Sequence, residues 1–293
     1  MATSIYISNE RIDIVQGSVK SKKIVVKNVI DIPITEGAII NGVITDEFEI
    51  TQKLKEAFDK NPSLDKNILL TVDSGSIYVK KLTVPALNIR KLKGIIKDNF
   101  SEIEGYEDFL YDFATLDMGN KKDGVLVLAC AVEKDLIESY YEIFKKLNIK
   151  IKKINISHAC AISLISKVGT LLNDTFVISI LDKNNMSNIL FVNGVYSYSN
   201  RTRLVEQRGS EACASEIFSN LSSLIQFNKS EKNGTDIESF YFCGTNESEN
   251  GLFDTLAHDL ERNVSEFKTQ DNIIFRDKKS SAAEHFYAIG NLI

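Results

Sequence analysis

The chain has 293 residues, with 35 basic and 40 acidic side chains and a net charge of −5; spread along the chain, that balance gives no electrostatic basis for nucleic-acid binding. Hydrophobic residues make up 43% and charged residues 26%, which excludes wholesale disorder and, at this length, suits two domains or one two-lobed domain. The first residues enter a strand pattern with no basic, apolar leader, and the longest apolar run, Val125 to Val132, is too short to span a bilayer. A soluble, cytoplasmic protein without a signal peptide is expected.

Residues 4–8 and 11–16 read as strands around a tight Asn9-Glu10 turn, and 23–32 as a third strand. Gly37 and Gly42 mark turns, and Asp46 is a candidate N-cap for a helix over 47–59 carrying Phe48, Ile50, Leu54 and Phe58. Residues 67–72, NILLTV, read as a strand buried on both faces.

A second unit begins at Ser76. Its first strand ends at Val84, because Pro85 fixes its own φ and pushes the preceding residue to extended backbone. An amphipathic helix over 88–100 follows, then an acidic, aromatic connection, then strands over 111–116 and 124–131 joined by a polar turn at 119–123. A helix over 133–147 and a strand over 149–156 close a β-α-β-β-α-β unit, predicted to form a small sheet with two helices on one face.

A helix over 158–172 leads back, and from Thr175 the opening pattern returns. Strands are predicted over 176–181, 186–194 and 195–199, with Asn193-Gly194 as a hairpin signal. A helix over 210–228, a loop over 229–235, a strand over 239–244, a helix over 251–264, a strand over 272–275 and a helix over 280–293 complete the chain. The repeated element order predicts an internally duplicated α/β fold. Cys130, Cys160, Cys213 and Cys243 are scattered singly in apolar contexts, which reads as buried thiols rather than disulfides or a zinc pair. His158, His258 and His285 are isolated in sequence and offer no metal motif.

Four stretches occur in order: 37–46 (GAIINGVITD), 79–87 (VKKLTVPAL), 130–134 (CAVEK) and 286–290 (FYAIG). In these words and in element order the chain resembles the PilM family of type IV pilus inner-membrane platform proteins, relatives of the cell-division protein FtsA. The resemblance implies an actin-like (ribonuclease H-like) two-lobed α/β fold. Residues 1–75 and 155–174 would form the first lobe, 76–154 an FtsA-type inserted subdomain, and 175–293 a shortened second lobe. It also implies a groove between the inserted unit and the first lobe. That groove would receive the short cytoplasmic N-terminal peptide of a PilN-type membrane protein and would be lined by Ile39, Ile40, Asn41, Val43, Val79, Leu82, Val84, Pro85 and Leu87.

The family's nucleotide site depends on two glycine-rich hairpins and a glycine pair. Here Tyr6 stands at the first hairpin's Asp position, Ser8 at its turn glycine and Asp13 at its lysine. The second hairpin has Ser179 or Ile180 at its Asp position, no glycine before Met186, and Asp182 as a shifted metal ligand or a solvated turn residue. Of the glycine pair, Gly244 remains. The corresponding nucleotide set is Ser8, Asn9, Asp182, Lys183, Asn184, Gly244 and Thr245. Only Leu204 to Gly209 separate a strand from the helix at 210, where the family has a further helical segment.

The expected function is a non-enzymatic scaffold without catalytic residues, metal or cofactor. It would be peripheral at the inner face of the cytoplasmic membrane through its partner, without inserting, and would link a PilN-type peptide to the cytoplasmic motor ATPase, with self-association as a further expectation. The alternative is a nucleotide-gated ATPase platform holding ATP and Mg²⁺ through divergent loops. A sugar or acetate kinase would need phosphate loops that this sequence lacks.

Overall fold

The β-branched residues at the start of the chain suit extended backbone, and β1 (Ala2–Ile7), β2 (Arg11–Lys20) and β3 (Lys23–Pro33) form an antiparallel meander in which β1 and the first part of β2 are buried on both faces. The computed structural model describes residues 1–21, 23–117, 124–231, 235–249, 251–277 and 279–293. The polar turn expected at 119–123 and the middle of the loop expected at 229–235 lie outside the described residues.

A short hairpin, β4 (Ile39–Ile40) and β5 (Val43–Ile44), leads into α1 (Glu47–Lys60), capped by the Asp46 carboxylate, which accepts from the Glu49 N–H. Ile50, Leu54, Ala57 and Phe58 face the core; Phe48, expected with them, lies in the first turn of the helix and is 74% exposed. β6 (Asn67–Val72) then pairs in parallel with β1.

β7 (Tyr78–Val84) ends at Pro85 as expected, and α2 (Ile89–Asp98) starts from an Asn88 cap. β8 (Phe109–Asp117) and β9 (Val125–Glu133) complete a three-stranded sheet in the order β7-β9-β8. α2 seals one face of it, Ile96 and Phe100 packing on Ala129 and Ala131, and Leu92 on Val84 and Val127.

The second half of the expected unit goes elsewhere. α3 (Lys134–Lys146) packs Tyr140, Ile143 and Phe144 into the first lobe's core beside α1. β10 (Lys150–Ile156) pairs in parallel with β6 rather than closing the inserted sheet. The physical reason is the apolar face of α3, which finds a larger surface on the first sheet than three strands offer.

α4 (Ser157–Ile165) crosses to the second lobe, which contains β11 (Phe176–Asp182), β12 (Asn185–Val192), β13 (Val195–Arg203), α5 (Glu211–Ser230), β14 (Ser239–Cys243), α6 (Leu252–Leu260) and β15 (Asn263–Glu266). The helix expected to reach 264 stops at Leu260, where Glu261 takes a left-handed φ of 53° and frees β15 to pair with β14.

β16 (Ile273–Phe275) and α7 (Phe286–Gly290) return to the first lobe: β16 pairs with β3, and α7 packs on α4, β1 and β2. The final helix is shorter than expected because Ser281 and Glu284 bond one another in a turn and His285 is tied to Asp13. The first sheet runs β10-β6-β1-β2-β3-β16 and the second β13-β12-β11-β14-β15. Five strands in each follow the same order, so the duplication expected from the sequence is present. α4 and α7 lie between the sheets so closely that a Cβ on Gly290 would sit 2.2 Å from the Cys160 carbonyl oxygen.

Candidate functional site

The first turn of each lobe faces the other across the interlobe cleft. Ser8 Oγ accepts from the N–H groups of Glu10 and Arg11, both at 3.1 Å. The Asn9 N–H donates to the Asp182 carboxylate at 3.0 and 3.2 Å, and the Asn9 side-chain amide donates to Asp182 Oδ2 at 2.5 Å. Three successive N–H groups that could cradle an anion are therefore bonded to the protein's own oxygens. Burial raises the Asp182 carboxyl, opposed by the Asn9 N–H.

Behind these turns lies a cavity of about 180 Å³ lined by Tyr6, Asp182, Arg208, Gly244, Thr245 and Tyr287, among others. The Tyr6 ring meets Tyr287 edge-on at 5.2 Å, and burial pushes its hydroxyl well above the ordinary value. Arg208 Nε donates to Glu249 Oε1 at 2.8 Å, and Arg208 Nη2 donates to the Gly244 carbonyl at 2.8 Å. Gly244 has φ +72°, and a Cβ there would lie 2.2 Å from the Leu181 carbonyl oxygen. The neighbouring strand accounts for this glycine without a nucleotide. The Tyr6 ring lines this cavity, and the turn donors beside it are engaged by the protein's own oxygens.

A larger groove opens beside this cleft. About 550 Å³ in volume, it lies between the β4–β5 hairpin and β12–β13, with Ile39, Ile40 and Asn41 on one wall and Lys183, Asn184, Arg201 and Arg203 on the other. The hairpin owes its shape to Asn41-Gly42, whose φ values of 51° and 81° suit a tight two-residue turn. It is held from behind: Ser74 Oγ donates to the Asn41 carbonyl at 2.7 Å, and the Gly75 N–H donates to Asn41 Oδ1 at 3.0 Å. The Tyr140 hydroxyl donates to the Gly42 carbonyl at 2.7 Å. Ile40 is left 58% exposed.

A smaller cavity of about 250 Å³ adjoins the groove, shares Gly75 and Arg201 with it, and is lined by Val79, His158 and Ser199. Arg201 Nη1 reaches Asp73 Oδ2 at 2.6 Å, and Ser157 Oγ donates to Asp73 Oδ1 at 2.6 Å, joining the lobes through a largely buried ion pair. His158 Nε2 lies 3.0 Å from Ser199 Oγ, and burial lowers the His158 imidazole.

Residues assigned from sequence to two sites thus meet in one place: Ile39, Ile40 and Asn41 share the groove with Asn9, Lys183 and Asn184. Val43 is 48% exposed on the same hairpin but does not line the groove, and Val79 lines the adjoining cavity. Leu82 and Val84 pack beneath α2, while Pro85 and Leu87 are exposed at the far end of β7. Sequence reasoning missed Arg201, Arg203, Arg208 and Asp73; the alternating arginines at the end of β13 were the available signal.

His285, isolated in sequence, is not isolated in space. Its Nδ1 lies 2.9 Å from Asp13 Oδ1 and 3.8 Å from Asp31 Oδ1, with Arg11 Nε 3.5 Å from Asp31. Burial works to lower its pKa, but the bond to Asp13 and the two carboxylate charges outweigh burial and raise it. Among the described residues this is the one group spaced to hold a metal ion, and the His–Asp bond and Arg11 already satisfy it. Burial raises the Cys130 and Cys160 thiols to about 11 and about 12, as inert cysteines require.

No curated sequence matches the chain. Among solved structures, it is similar over 99% of its length to 97% of a chain from a PilM–PilN type IV pilus biogenesis complex, with a TM-score of 0.85 at 14% identity. It is similar over 99% of its length to 95% of a Bacteroides thetaiotaomicron protein with an actin-like ATPase fold, TM-score 0.56 at 12% identity. The cytoplasmic domain of EpsL, an inner-membrane component of the Vibrio cholerae type II secretion system, gives a TM-score of 0.51 at 10% identity over 99% of this chain and 93% of that one. These likenesses establish the actin-like fold. The model of the type IV pilus assembly protein PilM family matches residues 4–191, more than half of the chain, and the chain belongs to that family.

Proposed function

We propose that this chain is a non-enzymatic scaffold of type IV pilus assembly. It docks the short cytoplasmic N-terminal peptide of a PilN-type inner-membrane protein in the groove beside the β4–β5 hairpin and links that protein to the cytoplasmic motor ATPase. The observation that carries this reading is the contrast between the two clefts. The turn donors of Asn9 to Arg11 are consumed by Asp182 and the Ser8 hydroxyl, whereas the adjacent groove presents an exposed Ile40 from a rigid hairpin. An extended peptide needs an apolar anchor point and polar groups beside it, and Ile40 with Asn184 and Arg203 offers both. Among the described residues no helix is long and apolar enough to cross a membrane, so attachment through a membrane partner suits the chain.

Titration of the full chain with a labelled N-terminal peptide of a PilN-type protein tests this. Saturable binding is expected, weakened at least about tenfold by Ile40→Asp, the loss of one buried anchor. No binding at high micromolar peptide would sink the proposal. The alternative, a nucleotide-gated ATPase platform, draws its support from the 180 Å³ cavity, whose lining includes Ser8, Asp182, Gly244 and Thr245 of the nucleotide set that the family resemblance implies. A rise in thermal midpoint with ATP and Mg²⁺ would favour it; none is expected.

A further inference from the structure

The surface of α2 is built against its own stability. Its first turn holds no acidic residue and instead carries Arg90 and Lys91, where the helix dipole disfavours cations. Among the described residues neither has an ion-pair partner. Three residues on lies Lys93, loosely paired with Asp112 at 3.9 Å. Gly94 follows, in a mid-helix position where alanine is the better helix former; a Cβ there would meet nothing within 4 Å, so no internal contact requires the glycine. Immediately before the helix the corner at 85–88 is exposed, and Leu87 and Ile89 are 41% and 66% accessible. Residues 85–98 hold four basic side chains and one acidic, in a chain that is net negative.

Exposed apolar tips, flanking cations and an unobstructed helix backbone together fit a planar anionic surface. The apolar tips enter the headgroup boundary while the cations meet the phosphates. We propose that the corner at 85–88 and the N-terminal half of α2 form a contact surface for an anionic lipid bilayer. The far end of α2 fixes the orientation. Glu102, Glu104, Glu107 and Asp108 lie beyond it, with Lys80 paired to Glu102, so that end faces away from the lipid. This surface is separate from the Ile40 groove, so the peptide titration and the lipid assay can fail independently.

The test is co-sedimentation of the full chain with vesicles of phosphatidylcholine alone or mixed with phosphatidylglycerol. Binding is expected only to the mixed vesicles, falling steeply with salt. Arg90→Glu combined with Lys91→Glu should weaken it at least about tenfold, and Ile89→Ser about threefold. The double variant keeps or raises the thermal midpoint, since acidic residues suit a helix N-terminus, so its loss of binding is not unfolding. Binding to neither vesicle, equal binding to both, or undiminished binding by the double variant would overturn the proposal. A chain whose cationic face serves an acidic protein would leave both vesicles unbound and so falls among these outcomes.

Discussion

In the first lobe, the path from the third strand to its helix runs through the pinned β4–β5 hairpin, and the path after β6 carries a whole three-stranded sheet. In the second lobe the equivalent paths are the short links at 204–210 and 244–251. The five shared strands keep one order in both. Sheets conserve their order because burial fixes register, while links on the surface are free to grow. The first lobe and its insertion accordingly carry the groove hairpin and the cationic helix, and the second lobe supplies a plain wall opposite.

The contrast can be broken most forcefully at the glycines that hold the links. Gly42→Ala brings a Cβ to 2.1 Å from the Asp73 carbonyl oxygen at φ +81°, and Gly244→Ala does the same against Leu181. Each should cost about 3 kcal/mol or more in chemical denaturation, from strain and overlap combined. Gly37→Ala, with φ +88° and open space around it, should cost only about 1 kcal/mol; equal costs at Gly37 and Gly42 would refute the packing account.

Next is the strut between the lobes. Arg201→Ala leaves Asp73 without its charge partner and should destabilise by about 3 kcal/mol. Arg201→Met paired with Asp73→Asn should recover part of that loss, and a double-mutant cycle reads the coupling.

His285→Gln should cost about 2 kcal/mol at low pH, where a buried, charge-assisted bond is lost. The sign follows from the raised folded pKa. The stability from this group is fully present below the unfolded value of about 6.5 and disappears as pH rises through the folded value. The gap between wild type and variant should therefore narrow in alkaline buffer; a gap that widens there would exclude a protonated His285. Smaller still, Asn9→Ala keeps the backbone N–H bond to Asp182 but removes the side-chain amide bond to it and the bond that Asn9 Oδ1 accepts from the Asn41 N–H, and should cost about 1 kcal/mol, read as a shift in urea midpoint at constant slope.

Much of this architecture was legible in the sequence. The Pro85 corner, the Asp46 cap, the turn at Gly42 and the echo between the lobes rest on local chemistry, and each appears where local chemistry puts it. What was not legible depends on partners distant in the chain. Nothing near 150 announces that β10 will leave the inserted unit, because α3 is amphipathic in either location and only the larger apolar surface decides. The same holds at the candidate site. Asn9 and Asp182 are 173 residues apart and Asp13 and His285 272, so their pairing emerges only when the lobes meet. Leu82 and Val84 alternate as groove residues would, yet α2 covers them.

The pairing of β16 with β3 joins residues near 274 to residues near 25, and it bears on how the molecule is made. As the chain leaves the ribosome, the outer edge of β3 must wait, unpaired, while the entire second lobe is synthesised and can fold as a unit. Lys23 and Lys27 lie along that waiting strand, a charged edge of the kind that discourages pairing with a neighbouring chain. Closing this long loop late should make assembly of the first lobe the slow step of folding, with the second lobe already in place as its template.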